Sequence, residues 1–130
     1  MIRIIKINLI IFSIIFPYST YSSLPTTIIK SCYDGDTCTT TDGEKIRLAC
    51  IDTPELKGKK AKPVKAKEAK DFLNDLIAKK KVYINRITTD KYGRTVGELF
   101  KDDINVQKLI VNKGYGRIYE KYAHQCNWIK

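Results

Sequence analysis

Carboxylates and arginines recur in three short stretches of this chain: Asp34-Gly35-Asp36-Thr37, the run from Arg47 to Glu55, and Asp90-Lys91-Tyr92-Gly93-Arg94. Asp42-Gly43 lies between two β-rich segments and signals a hairpin, because both central residues of a tight turn must tolerate positive φ. Residues equidistant from such a turn lie side by side, so Asp36 and Thr37 are expected level with the stretch around Cys50 to Asp52. Two carboxylates brought that close repel unless a cation bridges them or one takes a proton. Carboxylates joined by hydroxyl or carbonyl oxygens suit hard Ca²⁺ or Mg²⁺ rather than zinc. Asp-Gly-Asp-Thr alone reads as a surface turn, and only its pairing with the second acidic stretch makes it a candidate site.

Asp52-Thr53-Pro54-Glu55 adds a third carboxylate just past that pair, where Pro54 stops the strand. Glu55 is placed to act on a water held near the cation. Arg47 precedes Asp52 by five residues, so on an ideal strand the two point to opposite faces, and only a bulge or bend unites them. The third stretch is a turn that lifts Arg94 beside Lys91 and Tyr92. Two guanidinium groups suit phosphoryl chemistry, each offering a planar fork to phosphate oxygens and staying charged at any working pH. Taken singly, Arg47 and the Arg94 turn also read as ordinary solvated charges.

The elements that must hold these residues follow from periodicity. Strands are predicted over Thr26–Tyr33, Cys38–Thr41, Glu44–Ile51, Lys81–Thr88 and Thr95–Phe100, with a last one over Tyr115–Tyr119. Ala66, Ala69, Phe72, Leu73, Leu76 and Ile77 recur at helical spacing within Val64–Ala78. Lys57 to Pro63 reads as a basic loop broken by Gly58 and Pro63. A short helix is expected over Ile104–Asn112, with Val106, Leu109 and Ile110 inward and Gly114 ending it. The order fits a small β-barrel with helices packed on it, a mainly β fold of the α+β class.

The 130 residues carry a formal net charge of +10. Residues 1–22 read as a signal peptide: Arg3 and Lys6, then the apolar run Ile7–Phe16, then small or polar residues, with cleavage placed near Ser22. The run is too short for the roughly 20 residues that span a bilayer, so no stable membrane insertion is expected after cleavage, and a membrane anchor only without it. Residues 23–130 then form one domain, secreted or periplasmic and monomeric. Its basic surplus favours encounter with polyanions, nucleic acid or an anionic envelope, without specifying chemistry. Cys32, Cys38, Cys50 and Cys126 all lie beyond the leader and are expected to form disulfides, in any of three connectivities. Zinc is disfavoured by the absence of a C-x-x-C knuckle and by a single histidine, His124, read as an exposed terminal residue.

Taken together, Asp34-Gly35-Asp36-Thr37, Arg47 with Asp52-Thr53-Pro54-Glu55, and Asp90-Lys91-Tyr92-Gly93-Arg94 resemble the motifs of the thermonuclease, or staphylococcal nuclease, family, in order and at similar spacing over about residues 28 to 120. That resemblance implies a five-stranded OB-fold barrel and a Ca²⁺-dependent nuclease acting on DNA, RNA or both. It implies Asp36, Asp52 and the Thr53 carbonyl as Ca²⁺ ligands, and Arg47, Glu55 and Arg94 as catalytic. Lys91 and Tyr92 match positions beside a terminal phosphate of the nucleotide, and Tyr119 is the candidate for stacking on a base. It implies metal-assisted attack of water in line with a 5′-oxygen leaving group. Where many relatives carry a long C-terminal helix, this sequence reaches Lys130 without one, and Cys126-Asn127-Trp128 is expected to fasten a shortened end.

Two other classes explain part of the pattern. A non-catalytic OB module would bind nucleic acid on its basic surface, yet gains nothing from Asp36, Asp52 and Glu55 where phosphate must lie. A protein docked on anionic envelope polymers uses the charge but leaves both arginines and the three acids without a role.

Overall fold

The structure, a computed structural model, describes residues 2–15 and 21–130. The expected leader therefore falls partly outside the described residues; within it, residues 2–15 are exposed and form neither helix nor strand. No helix among the described residues is long and apolar enough to cross a membrane.

Strands β1 (Thr26–Cys32), β2 (Thr37–Thr40) and β3 (Lys45–Leu48) form an antiparallel meander, and the short β4 (Ile51–Asp52) follows. Helix α1 (Pro63–Ile77) leads into β5 (Lys81–Thr89) and β6 (Thr95–Lys101), which pair along almost their whole length. Then come β7 (Ile104–Asn105), α2 (Val106–Asn112), β8 (Arg117–Ile118) and a 3₁₀ segment, Glu120–Gln125. β5 pairs with β1, and β6 returns to pair in parallel with β3, so β3-β2-β1-β5-β6 close into the expected five-stranded barrel. Closure leaves these strands no long free edge. β7 extends the edge of β6, while β4 and β8 make a separate two-stranded ribbon.

The barrel fills with Ile29, Ile46, Leu48, Ile84 and Leu99, each fully buried. Helix α1 covers one end, with Pro63 at its start, where the missing N–H is harmless. Its buried stripe is Ala66, Ala69, Leu73 and Ile77, as the spacing predicts, while Phe72 and Leu76 are half-buried. Asn74 fixes its register on the sheet: Oδ1 accepts from Cys32 N at 2.8 Å and Nδ2 donates to Cys32 O at 3.0 Å.

Five sequence expectations are corrected. The predicted strand Glu44–Ile51 breaks at Ala49-Cys50, where Cys50 takes a left-handed φ of 67°. The turn closes with Thr40 N donating to Glu44 O, so it is longer than Asp42-Gly43 alone. Thr37 faces Arg47, not the Cys50–Asp52 stretch, and Asp36 meets Asp52 only because the chain bends at Cys50. Ile104 and Asn105 belong to a strand, and α2 begins at Val106, its Lys108 N donating to the Asn105 side chain. On α2 it is Gln107, not Leu109, that joins Val106 and Ile110 inside, because its amide pairs with both backbone groups of Leu99. The terminal strand shrinks to Arg117–Ile118, and the chain then tightens into the 3₁₀ segment.

The cysteines pair Cys32–Cys38 and Cys50–Cys126. The first joins facing residues of β1 and β2. The second ties the bend after β3 to the chain end, where Cys126 is buried beside half-buried Trp128. With all four sulfurs so used, none is a thiolate available to zinc.

Two stability predictions follow from this packing. The disulfide separations are 76 and 6 residues, and chain-entropy reasoning assigns about 4.5 kcal/mol to the long bridge and about 2.4 to the short one. Urea unfolding of Cys50→Ala/Cys126→Ala should therefore show the larger loss, and an equal or smaller loss than for Cys32→Ala/Cys38→Ala would contradict it. A Cβ at Gly35 would stand 2.7 Å from Ala69 Cβ and 2.9 Å from Thr53 Oγ1. Gly35→Ala should destabilise by about 1–3 kcal/mol through overpacking, read from the same denaturant midpoint at unchanged m-value.

Candidate active site

Arg47 is the centre of the acidic cluster. Its Nη2 lies 3.4 Å from Asp36 Oδ2 and 3.9 Å from Asp52 Oδ1, and its Nη1 donates to Leu48 O at 2.7 Å. The bend required to put Arg47 and Asp52 on one face is the left-handed turn at Cys50. Beyond it, β4 carries Asp52 alongside β8, and Asp36 reaches the same place from the loop between β1 and β2. Thr53 N donates to Asp36 Oδ2 at 3.1 Å, tying the first motif to the second.

Asp36 is 6% exposed. Burial pushes its carboxyl up to about 6; Arg47 opposes the rise, and the nearby Asp34 charge adds to it. A positive charge bound beside it would stabilise the ionised form. Thr53 Oγ1 is buried without a hydrogen-bond partner, a polar atom left over beside two convergent carboxylates. All of these donors are oxygens, the ligand type of Ca²⁺ and Mg²⁺. Among the described residues no group of three His, Cys, Asp or Glu side chains converges as a metal site. The carboxylate oxygens of Asp36 and Asp52 suit a hard cation in their chemistry.

Two grooves meet at this cluster. One, of about 510 Å³, is lined by Arg47, Lys91, Tyr92, Arg94, Tyr119 and Tyr122, among others. The second motif thus meets the third here, because parallel pairing of β3 with β6 sets Arg47 opposite Val96, two residues from Arg94. Asp90 orients Arg94 twice, accepting from its Nε at 2.7 Å and from its backbone N at 3.0 Å. These contacts hold the Asp90 carboxyl below its usual range against the opposing effect of burial. Tyr92 is exposed, with the Arg94 guanidinium 5.3 Å and Lys91 Nζ 5.1 Å from its ring centre. The other groove, of about 540 Å³, contains Asp52, Thr53 and Glu55. Glu55 is exposed there, and its carbonyl accepts from Lys62 N at 3.0 Å.

The structure therefore gathers Asp36, Arg47, Asp52 and Thr53 directly, sets Lys91, Tyr92, Arg94 and Tyr119 along one groove, and places Glu55 in the adjoining one. Sequence reasoning missed two residues. Arg117 Nη2 lies 3.0 Å from Asp52 Oδ2, a contact made by the β4–β8 pairing of Asp52 with Arg117. Tyr122 packs edge-on against Tyr119 with ring centres 5.0 Å apart, and both belong to the tyrosine groove. The only signal for Tyr122 was Cys126 four residues later, whose bridge to Cys50 holds the 3₁₀ segment against the site.

Comparison with known proteins agrees with this geometry. The family described as staphylococcal nuclease homologue matches residues 45–128. An uncharacterized endonuclease of Escherichia coli O157:H7 is 34% identical over 93 residues, which span 68% of this chain and 58% of that protein. An uncharacterized endonuclease of Haemophilus influenzae is 34% identical over 95 residues, 70% of this chain and 51% of the relative. The staphylococcal-like nuclease CAN1 of Arabidopsis thaliana is 33% identical over 87 residues, 65% of this chain and 25% of its own length. The chain thus spans little more than half the length of the bacterial relatives. A closed barrel carrying both acidic motifs and the arginine turn, together with a match over most of its length, shows that this chain belongs to the staphylococcal nuclease family.

Proposed function

We propose that the protein is an exported, Ca²⁺-dependent nuclease that hydrolyses phosphodiester bonds of DNA, RNA or both. The observation that carries this reading is Arg47 set between Asp36 and Asp52, with Arg94 on the same groove. Relatives named as endonucleases and nucleases support the activity. Two disulfides and the apolar stretch near the N-terminus support export.

Ca²⁺ bound by Asp36, Asp52 and the Thr53 carbonyl would polarise a non-bridging oxygen of the scissile phosphate. The chain's own groups do the rest. Arg47 and Arg94 donate to phosphate oxygens and neutralise the charge that grows on phosphorus as the attacking oxygen arrives. Both forks are pre-oriented, Arg47 by Leu48 O and Arg94 by Asp90, so little ordering is left for the transition state. Glu55 accepts a proton from, or positions, the attacking water, which enters opposite the 5′-oxygen. Lys91 and Tyr92 hold the neighbouring phosphate of the nucleotide, and its base stacks on the tyrosine wall that includes Tyr119.

Oxidised protein incubated with single-stranded DNA, duplex DNA and RNA, with Ca²⁺ or excess chelator, should cleave only with Ca²⁺ and leave 5′-hydroxyl ends; full activity in chelator ends the reading. Three substitutions should fail differently. Asp36→Ala weakens Ca²⁺ affinity and Ca²⁺-dependent nucleotide binding. Glu55→Gln keeps both while the rate falls about 10²- to 10⁴-fold. Arg94→Lys keeps charge without the planar fork and loses about 10²- to 10³-fold in rate. Calorimetry, single-turnover rates and circular dichroism on the same preparations separate the three, and near-parental cleavage by Glu55→Gln would exclude its role.

A further inference from the structure

A third cavity, of about 350 Å³, lies on the outer face of β5 and β6 and shares no lining residue with either groove at the acidic cluster. Leu99 belongs to the barrel core, so alternation along β6 turns its neighbours Glu98 and Phe100 outward. Both are nevertheless buried, at 7% and 5% exposure. Their cover comes from the two ends of the domain: Tyr21 and Ser23 from before β1, and Asn127 and Trp128 from after the 3₁₀ segment.

Glu98 is left without a counter-charge. Its one hydrogen bond comes from Asn85 Nδ2 at 3.1 Å, and among the described residues no cation pairs with it. No other acidic or basic side chain lines the cavity. Burial pushes the Glu98 carboxyl up, against the opposing effect of Asn85. A buried acid in this state costs stability that a cation placed beside it would restore. Phosphodiester hydrolysis gives Glu98 no role, since it lines neither groove.

The chain itself can supply the cation. Thr20-Tyr21-Ser22 has the small-x-small order at which signal peptides are cut, which makes Ser23 the first residue of the mature protein. Ser22 and Ser23 are exposed, within reach of a peptidase. Cutting between them changes the cavity in two ways. It takes away Tyr21, whose ring stacks on Phe100 at 3.8 Å between centres, and so bares the Phe100 face. It also creates an α-ammonium on Ser23, a residue of the cavity wall. The new end has little slack, because Pro25 O accepts from Ile84 N at 2.9 Å and holds the segment to β5. An ammonium there meets a carboxylate and the aromatic rings of Phe100 and Trp128, each of which attracts it.

We propose that this cavity is the docking site of the mature amino terminus: once the leader is removed, the Ser23 α-ammonium turns in and pairs with Glu98. Processing then supplies the one charge that the fold of the full chain lacks at this place. This inference rests on the export reading.

All strands and helices lie between Thr26 and Gln125, so a chain beginning at Ser23 keeps the whole fold. The test compares that oxidised protein with the same chain carrying Glu98→Gln and with a chain beginning at Tyr21. Competitive acylation against pH, read by mass spectrometry of the N-terminal peptide, measures the basicity of each α-amine. It should be about tenfold more basic in the Ser23 protein than in the other two. Acetylating Ser23 should lower the urea midpoint of the parent and leave that of Glu98→Gln in place. Equal basicity in the Ser23 and Tyr21 chains, or the same loss on acetylation with and without Glu98, would overturn the proposal; should Glu98→Gln not fold, the two starting points alone decide it. Intact mass of the protein exported by its host should show a chain starting at Ser23, and a start outside residues 22–24 would also overturn it. A chain that its host neither exports nor cuts ends the export reading, and the acylation arm still decides whether the cavity holds an ammonium.

Discussion

Everything at the site depends on how the Asp36 and Asp52 carboxylates are held close together. Asp36 comes from the loop before β2 and Asp52 from β4, and Asp36 is almost wholly buried. Ionising Asp36 there is opposed by burial and by the nearby Asp34 charge. The protein answers with Arg47, whose guanidinium reaches toward both, and with the Thr53 N–H, which donates to Asp36. Arg117 takes the remaining oxygen of Asp52. Positive charge therefore faces the pair from the protein side.

That arrangement is a product of the barrel. β3 must pair with β2 on one side and β6 on the other, which sets Arg47 between the Asp36 loop and the Arg94 turn. Continuing β3 straight would carry Asp52 away. The left-handed Cys50 redirects the chain, and buried Leu48 and Ile51 anchor it on either side of the bend. Absent side chains matter as much. Gly35 lies against Ala69 and Thr53, and Gly116 packs on the Asp52 carbonyl, where a Cβ would stand 3.0 Å from that oxygen. The two acidic motifs approach closely because glycine stands at Gly35, and the start of β8 reaches Asp52 because glycine stands at Gly116.

The closed barrel, α1 and the three chemical motifs were legible because each rests on a local signal: alternation, helical spacing, or turn residues at fixed offsets. Legibility failed where tertiary contact overrides those signals. A non-glycine residue in left-handed geometry has no mark in sequence, so the Cys50 bend was foreseen only as something the Arg47 to Asp52 spacing would need. The register of the β2–β3 hairpin was misjudged: even a turn centred on Asp42-Gly43 sets Thr37 opposite Leu48, and closure through Thr40 and Glu44 moves it one residue further, to Arg47. Gln107 is polar and was left outside the predicted α2 face, yet it is buried because Leu99 leaves both backbone groups for its amide. Arg117 was invisible because its partner is supplied by a two-residue ribbon too short for a periodic pattern.

The Cys50–Cys126 bridge links these levels. A small domain that gains limited stability from its core benefits most from a crosslink spanning a long stretch of chain. This bridge also starts at the residue that bends the site and ends just past the segment bearing Tyr122. Cross-linking thus stabilises the fold and seats an aromatic wall beside Arg47 in one covalent step. Disulfide placement in this domain follows the site's geometry as much as its stability.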